Sequence, residues 1–338
     1  MPRRMSEPIS LIRPNSQETT HMKVVLASLM NDEFLKDLTE TFPDVDFAVA
    51  NSAEDQAREI QDADVFFGMP SRDVFVAGER LRWLQIPGTG VDKAVEIPEL
   101  VNSDVVLTNA RGPHTNPMAD HVMSVVLDFS HRTHEMMGDQ RDRYWSTEKY
   151  DQRIAEVGGS KMGILALGGI GQAVARRAHA FGMEVYAVDK NPFPAPPEVR
   201  EVWGLDRLDD MFEMSDWIVI AAPLTTESHG MITARHLGLM KPSSHLIIIS
   251  RGGIVDEDAL LDTLKKNRIA GAGVDAFENE PLSSDSPFWE LDNIIISPHA
   301  SALTFEMWEG RRQIFKENLR RFLANEPFLY VCDKVAGF

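Results

Sequence analysis

From Lys23 onward, short apolar runs rich in Val and Ile alternate with longer amphipathic stretches, the pattern of parallel strands covered by helices on both faces. Five runs, at 24–29, 45–49, 65–68, 83–86 and 105–109, predict one doubly wound sheet. Six more, at 162–167, 184–188, 217–221, 246–249, 272–274 and 294–296, predict a second. Between the two series, Asn116-Pro117 precedes apolar periodicity from Met118 to about Met137 and predicts one long helix bridging two domains, with Asn116 as its cap and Pro117 in its first turn. A last amphipathic helix, from Thr304 to about Ala324, lies too far from the second series to extend its sheet and is expected to return to the first domain. The predicted class is α/β with two doubly wound parallel-sheet domains, one formed by residues 23–112 and 303–338 and the other, residues 113–302, inserted into it. Hinges are expected near 109–117 and 299–304. Residues 1–22, polar and without the apolar core of a signal peptide, predict a disordered tail.

Composition narrows the function more than the fold. A chain of 338 residues can bury two such cores. The net charge of -18 argues against nucleic acid and against anionic membranes as partners, and no run approaches the ~18 apolar residues of a membrane span. The single cysteine, Cys332, cannot form an internal disulfide, so a cytoplasmic protein is expected. No metal site is predicted: His131, His134 and Glu135 lack the His-Glu-x-x-His order, and no cysteine cluster exists. The acidic stretches 205–210 and 148–156 are expected to be solvated faces, and the Tyr144-Trp145 pair to be a core or dimer contact or else a substrate box.

Two constellations carry chemistry. Gly168-Gly169-Ile170-Gly171 leaves a predicted strand and enters a predicted helix, where backbone N–H groups can bind a pyrophosphate. Ala166 replaces the first glycine of the dinucleotide pattern, so the turn must either suit an alanine or carry strain. Asp189 ends the next strand, where a carboxylate accepts both ribose hydroxyls of adenosine and repels a 2′-phosphate, favouring NAD(H) over NADP, although the neighbouring Lys190 softens that repulsion. Arg251, Glu280 and His299 then fall at or just after the C-terminal ends of later predicted strands, the edge where open α/β sheets bind ligands. A cation to grip a carboxylate, a proton donor and an acid to orient that donor are what reduction of a 2-oxo acid requires.

On these residues, with Trp83-Leu-Gln-Ile-Pro-Gly-Thr89-Gly90-Val-Asp92, Thr108-Asn-Ala-Arg-Gly-Pro113, Met118-Ala-Asp-His121 and Val274-Asp-Ala-Phe-Glu278, the chain resembles the D-isomer-specific 2-hydroxyacid dehydrogenase family over about residues 63–324. The resemblance implies a Rossmann NAD domain inserted into a flavodoxin-like substrate domain, and a homodimer. It implies hydride transfer between NAD(H) and carbon 2 of a small 2-oxo or 2-hydroxy acid, with glyoxylate and hydroxypyruvate as the first guesses. Arg251 then fixes the carboxylate, His299 moves the proton, and Glu280 orients His299 and favours its protonated form. The backbone of Thr89 and Gly90 also holds the substrate, and domain closure excludes water. Around the cofactor the resemblance implies Gly168 to Gly171 on the pyrophosphate, Asp189 on the ribose, Ala222 and Pro223 on the adenosine side, and Ile249, Asp275 and His299 nearer the nicotinamide. Alternatives within reach of the same motifs are a phosphite dehydrogenase, an NADP-linked hydroxypyruvate/glyoxylate reductase and an NAD(H)-sensing corepressor.

Overall fold

The computed structural model describes residues 22–28 and 31–337. The predicted tail lies outside the described residues except for Met22, which opens the first strand one residue ahead of the predicted start. The chain divides into two compact units: one runs to Ala110 and resumes at Glu309, and the other is Arg111–Trp308.

The first unit holds a five-stranded sheet made of β1 (Met22–Leu26), β2 (Val45–Val49), β3 (Val65–Phe67), β4 (Trp83–Gln85) and β5 (Val106–Thr108), in the order β2-β1-β3-β4-β5 with every pair parallel. The apolar runs are continuous because both faces are covered: β3 and β4 are buried at every position. One face packs Trp83 and Phe67 on Phe315, with ring centroids 5.6 and 4.4 Å apart. Phe315 and Leu319 come from the last helix, Phe305–Leu323, whose C-terminal part thereby completes this unit's core. A buried polar chain runs from Trp83 Nε1 to Thr108 Oγ1 (2.7 Å), on to Gln85 Oε1 (2.8 Å), which also accepts from Asn318 Nδ2 (3.1 Å). Each donor thus has an acceptor where water is excluded.

In the second unit β6 (Lys161–Leu165), β7 (Glu184–Val188), β8 (Glu201–Trp203), β9 (Trp217–Ile220), β10 (His245–Ile248), β11 (Gly271–Val274) and β12 (Ile294–Ile296) form a parallel sheet in the order β12-β11-β10-β9-β6-β7-β8. The strand order reverses between β6 and β9, which opens a crevice beyond their C-terminal ends, the place where such sheets take ligands. The sequence predicts six of these strands and misses β8. That edge strand follows a proline-rich loop, has only three residues and buries none of them fully, so it leaves no apolar run to read.

The helix predicted over Met118 to Met137 is two helices, Thr115–His131 and Thr133–Asp142, separated by Arg132 in the left-handed conformation (φ 57°). The first inserts Val122, Val125, Val126 and Phe129 into the core, whereas the second buries no residue, so the sheet holds only the first. The N-cap is His114 rather than Asn116, which already lies inside the first turn. Tyr144 and Trp145 are 56% and 94% exposed and therefore do not belong to this chain's core. His134 Nδ1 sits 3.1 Å from the Asp128 carbonyl and Glu135 pairs with Arg153, which gives both a structural use. Among the described residues no helix is long and apolar enough to cross a membrane, and no group of three or more His, Cys, Asp or Glu is arranged to hold a metal ion.

Candidate active site

The glycine turn follows β6. Ala166 has φ +73°, a region that costs an L-residue roughly 1–2 kcal/mol, so the missing glycine is a real source of strain. The turn is tight enough that a Cβ on Gly171 would lie 2.3 Å from the Ala166 carbonyl oxygen, which leaves glycine as the residue that fits. Gly168 caps the helix Gly169–Ala180, and a Cβ there would meet nothing within 4 Å, so the rim of the turn is open space beside first-turn N–H groups. Ala166→Gly is expected to raise stability by up to ~1 kcal/mol, because relief of strain outweighs the added entropy of the unfolded chain. A urea midpoint unchanged or lowered would contradict that.

Asp189 follows β7 and holds the turn from the side. One carboxylate oxygen accepts from Leu167 N–H and the other from Asn191 N–H, both at 2.9 Å. Lys190 is ion-paired with Glu227, so its charge is balanced. Ala222 is buried just beyond β9, with Pro223 following it and accepting a 2.7 Å bond from Ser228 at its carbonyl. Ile249 is buried just beyond β10. These residues all sit at the C-terminal edge of the sheet around its point of reversal.

The three polar residues predicted to act together also meet at this edge. Arg251 follows β10, Glu280 lies in the loop after β11, and His299 comes just after β12. His299 Nδ1 is 2.8 and 3.1 Å from the two Glu280 oxygens, while its Nε2 is 3.5 Å from Arg251 Nη1. Glu280 in turn accepts from the Phe277 N–H at 3.0 Å. In the neutral ring the carboxylate selects the tautomer with hydrogen on Nδ1 and leaves the Nε2 lone pair facing Arg251. The His299 and Glu280 side chains are 42% and 36% exposed, open enough to meet a ligand.

Glu257, Gly252 and Ser297, which the sequence does not single out, pack around this group together with the expected Asp275. Glu257 accepts from the Glu278 N–H at 2.6 Å, and burial, with Glu278, Asp258 and Glu280 nearby, pushes its carboxyl above the usual range. Gly252 packs its α-carbon against the Phe277–Glu278 peptide so closely that a Cβ would fall 2.0 Å from Glu278 N. Gly252→Ala is thus expected to separate the Arg251 turn from the Glu280 loop, lowering stability by about 1–3 kcal/mol and lowering turnover. Wild-type values of both in denaturant melts and assays would refute it. Asp275 is 1% exposed and binds Ser297 and the backbone after His299. Such contacts between separate strands leave no periodic signal, although Ser297 stands two places before His299.

Thr89 and Gly90 belong to the first unit, in the turn after β4. That turn is pinned to the end of β5 by Ala110 N–H to the Gly88 carbonyl (2.9 Å) and Asn109 Nδ2 to the Thr89 carbonyl (2.7 Å).

Residues 123–301 match the family model of the D-isomer specific 2-hydroxyacid dehydrogenase, NAD binding domain. The chain belongs to the D-isomer specific 2-hydroxyacid dehydrogenase family. This dehydrogenase is 34% identical over 276 residues to a glyoxylate reductase of Thermococcus gammatolerans, covering 79% of this chain and 82% of that protein. It is 30% identical over 312 residues to a D-3-phosphoglycerate dehydrogenase of Methanocaldococcus jannaschii, spanning 90% of this chain and 58% of that longer protein. A solved D-isomer specific 2-hydroxyacid dehydrogenase family protein from Aeromonas salmonicida superposes with a TM-score of 0.81 at 26% identity, over 93% of this chain and 100% of the other. The dehydrogenase is thus an oxidoreductase carrying an NAD-binding domain, and the glycine turn, Asp189 and the Arg251–His299–Glu280 group all fall in the matched span.

Proposed function

We propose that this dehydrogenase reduces a small 2-oxo acid, of glyoxylate or hydroxypyruvate size, to the D-2-hydroxy acid, with His299 as acid/base. The observation that carries the reading is the placement of Glu280 on His299 Nδ1 at 2.8 Å with Arg251 Nη1 3.5 Å from Nε2, all at the C-terminal end of one sheet. Arg251 grips the substrate carboxylate and draws charge from the carbonyl, and its fork suits that planar anion. His299 gives the proton from Nε2 to the carbonyl oxygen, and Glu280 holds the imidazolium that must be present beforehand. The backbone of Thr89 and Gly90 is proposed to share the carboxylate, as the family resemblance implies. The unit ending at Ala110 and resuming at Glu309 is then the substrate domain and Arg111–Trp308 the cofactor domain.

The site fits NAD(H). The open rim at Gly168, the helix N-terminus at Gly169, Ile170 and Gly171, and the Asp189 carboxylate suit a pyrophosphate and a ribose diol, with Ala222, Pro223, Ile249 and Asp275 along the same edge. When bound, NADH supplies the hydride. The Asp189 carboxylate repels a 2′-phosphate, and Lys190 pairs with Glu227, which supports NADH over NADPH. A glyoxylate reductase among the relatives supports the small substrate. A cytoplasmic homodimer completes the proposal.

The test is oxidation of NADH and NADPH against glyoxylate, hydroxypyruvate, pyruvate, oxaloacetate, phenylpyruvate and branched-chain 2-oxo acids, with His299→Ala as the blank. Turnover with NADH and a small acid, lost in the variant, is expected. Tight NADH binding without turnover of any acid would overturn the reading.

A further inference from the structure

His299 itself adopts φ +52°, the left-handed region, which for a residue bearing a Cβ needs outside support. The support converges on one carboxylate. Asp275 Oδ1 accepts from the N–H groups of Ala300 (2.9 Å) and Ser301 (3.2 Å), and Oδ2 lies 3.2 Å from the Ser301 N–H. Successive N–H groups after a left-handed residue form a concavity suited to an anion, so the Asp275 charge and the His299 backbone stabilise each other. The His299 N–H is fixed as well, 2.9 Å from the Asp275 carbonyl.

The remaining bond to that carboxylate is the shortest. Ser297 Oγ donates to Asp275 Oδ1 at 2.6 Å, and because its hydrogen is committed there, its oxygen is the acceptor for His121 Nε2 at 3.2 Å. His121 belongs to the helix Thr115–His131, so the chain of bonds ties the His299 loop to an element outside the sheet. Burial lowers the His121 pKa, which Asp275 and Asp128 oppose, and the Nε2–H donor survives in the neutral ring.

We propose that Ser297 and His121 are positioning residues for the proton transfer: together they fix the Asp275 carboxylate that holds His299 in its left-handed turn, ring against Glu280. This rests on the proposed role of His299 and extends it to two residues that touch neither substrate nor cofactor in that reading. Without the Ser297 hydroxyl, Asp275 Oδ1 loses its shortest bond and His121 its acceptor. The loop then relaxes toward ordinary φ values, and the imidazole leaves Glu280.

Ser297→Ala is expected to lower kcat by about 10- to 100-fold, the scale on which a displaced catalytic group acts. Ser297→Thr, which keeps the hydroxyl, is expected to restore most of it. In a His299→Ala background Ser297→Ala is expected to cost nothing further, because its effect passes through His299. An equal fractional loss in both backgrounds, or no loss in the first, overturns the proposal. The ring nitrogen signals of His299, assigned with His299→Ala in the ¹⁵N-histidine-labelled protein, give a readout independent of turnover. They are expected to move toward those of a free histidine in Ser297→Ala, and signals unchanged from wild type overturn the clamp. A wild-type protein that reduces no 2-oxo acid would sink the proposed function, and the ring signals would still decide whether Ser297 holds His299.

Discussion

His299→Ala is expected to lower kcat with the preferred 2-oxo acid by about 10²- to 10⁴-fold, the range a positioned general acid supplies, while leaving NADH binding intact. The separation follows from the fold. Nε2 of His299 is the nitrogen left open after Nδ1 engages Glu280, so truncation removes the proton donor. The glycine turn and Asp189 follow β6 and β7, whereas His299 follows β12, the outermost strand on the other side of the point of reversal along the same C-terminal edge, so the adenosine end of the site is untouched. Fluorescence titration with NADH beside steady-state rates checks both halves. A variant that turns over near the wild-type rate would mean that another group gives the proton. One that no longer binds NADH would mean that His299 serves the cofactor more than the substrate.

The second large effect is on stability in acid, and it arises at the other end of the same sheet. His245 opens β10 with its imidazole stacked on Trp217 at 4.3 Å and 12°, and tilted against Phe129 at 4.7 Å. Neither ring nitrogen has a hydrogen-bond partner among the described residues. Burial, with Arg132 and His134 adding repulsion, pushes the His245 pKa down to about 3, whereas an unfolded histidine titrates near ~6.5. Above that unfolded value the ring is neutral in both states. As pH falls from ~6.5 toward the folded pKa, only the unfolded chain takes up this proton, so the folded state loses about 1.4 kcal/mol per pH unit. His245→Phe keeps the aromatic stack and has no proton to take up. Its stability is expected to fall less steeply than wild type between about pH 6.5 and 4.5, the difference corresponding to one proton. The two proteins differ only in this ring, so the difference between the two curves isolates His245. Parallel curves in urea melts across that range would contradict the assignment.

Much of this was legible without coordinates, for a local reason. A strand covered on both faces must be apolar throughout, and β9 and β11, buried at every position, fall within one residue of the runs that predict them. Arg251, Glu280 and His299 could be picked out together because each stands in the segment that follows such a run, and parallel strands bring all their C-terminal ends to one edge. The misreadings share the opposite cause. β8 exists because β7 offers it a partner, and its three residues carry no pattern of their own. The helix break at Arg132 reflects where Phe129 ends the contact with the core, since the apolar spacing continues weakly past it.

Sequence alone determined the two sheets apart from β8, the glycine turn, the acid after β7 and the positions of the three polar residues after their strands, because each depends on neighbours along the chain. Tertiary structure decided what conformations the exceptions take. Ala166 and His299 both adopt left-handed backbone that nothing in their own side chains favours. For His299 the stabilising groups come from the residue after β11, the chain beyond β12 and a helix some 180 positions earlier, where His121 reaches Ser297 at a sequence separation of 176. Contacts of that range are set by packing, and packing is what a linear pattern does not encode.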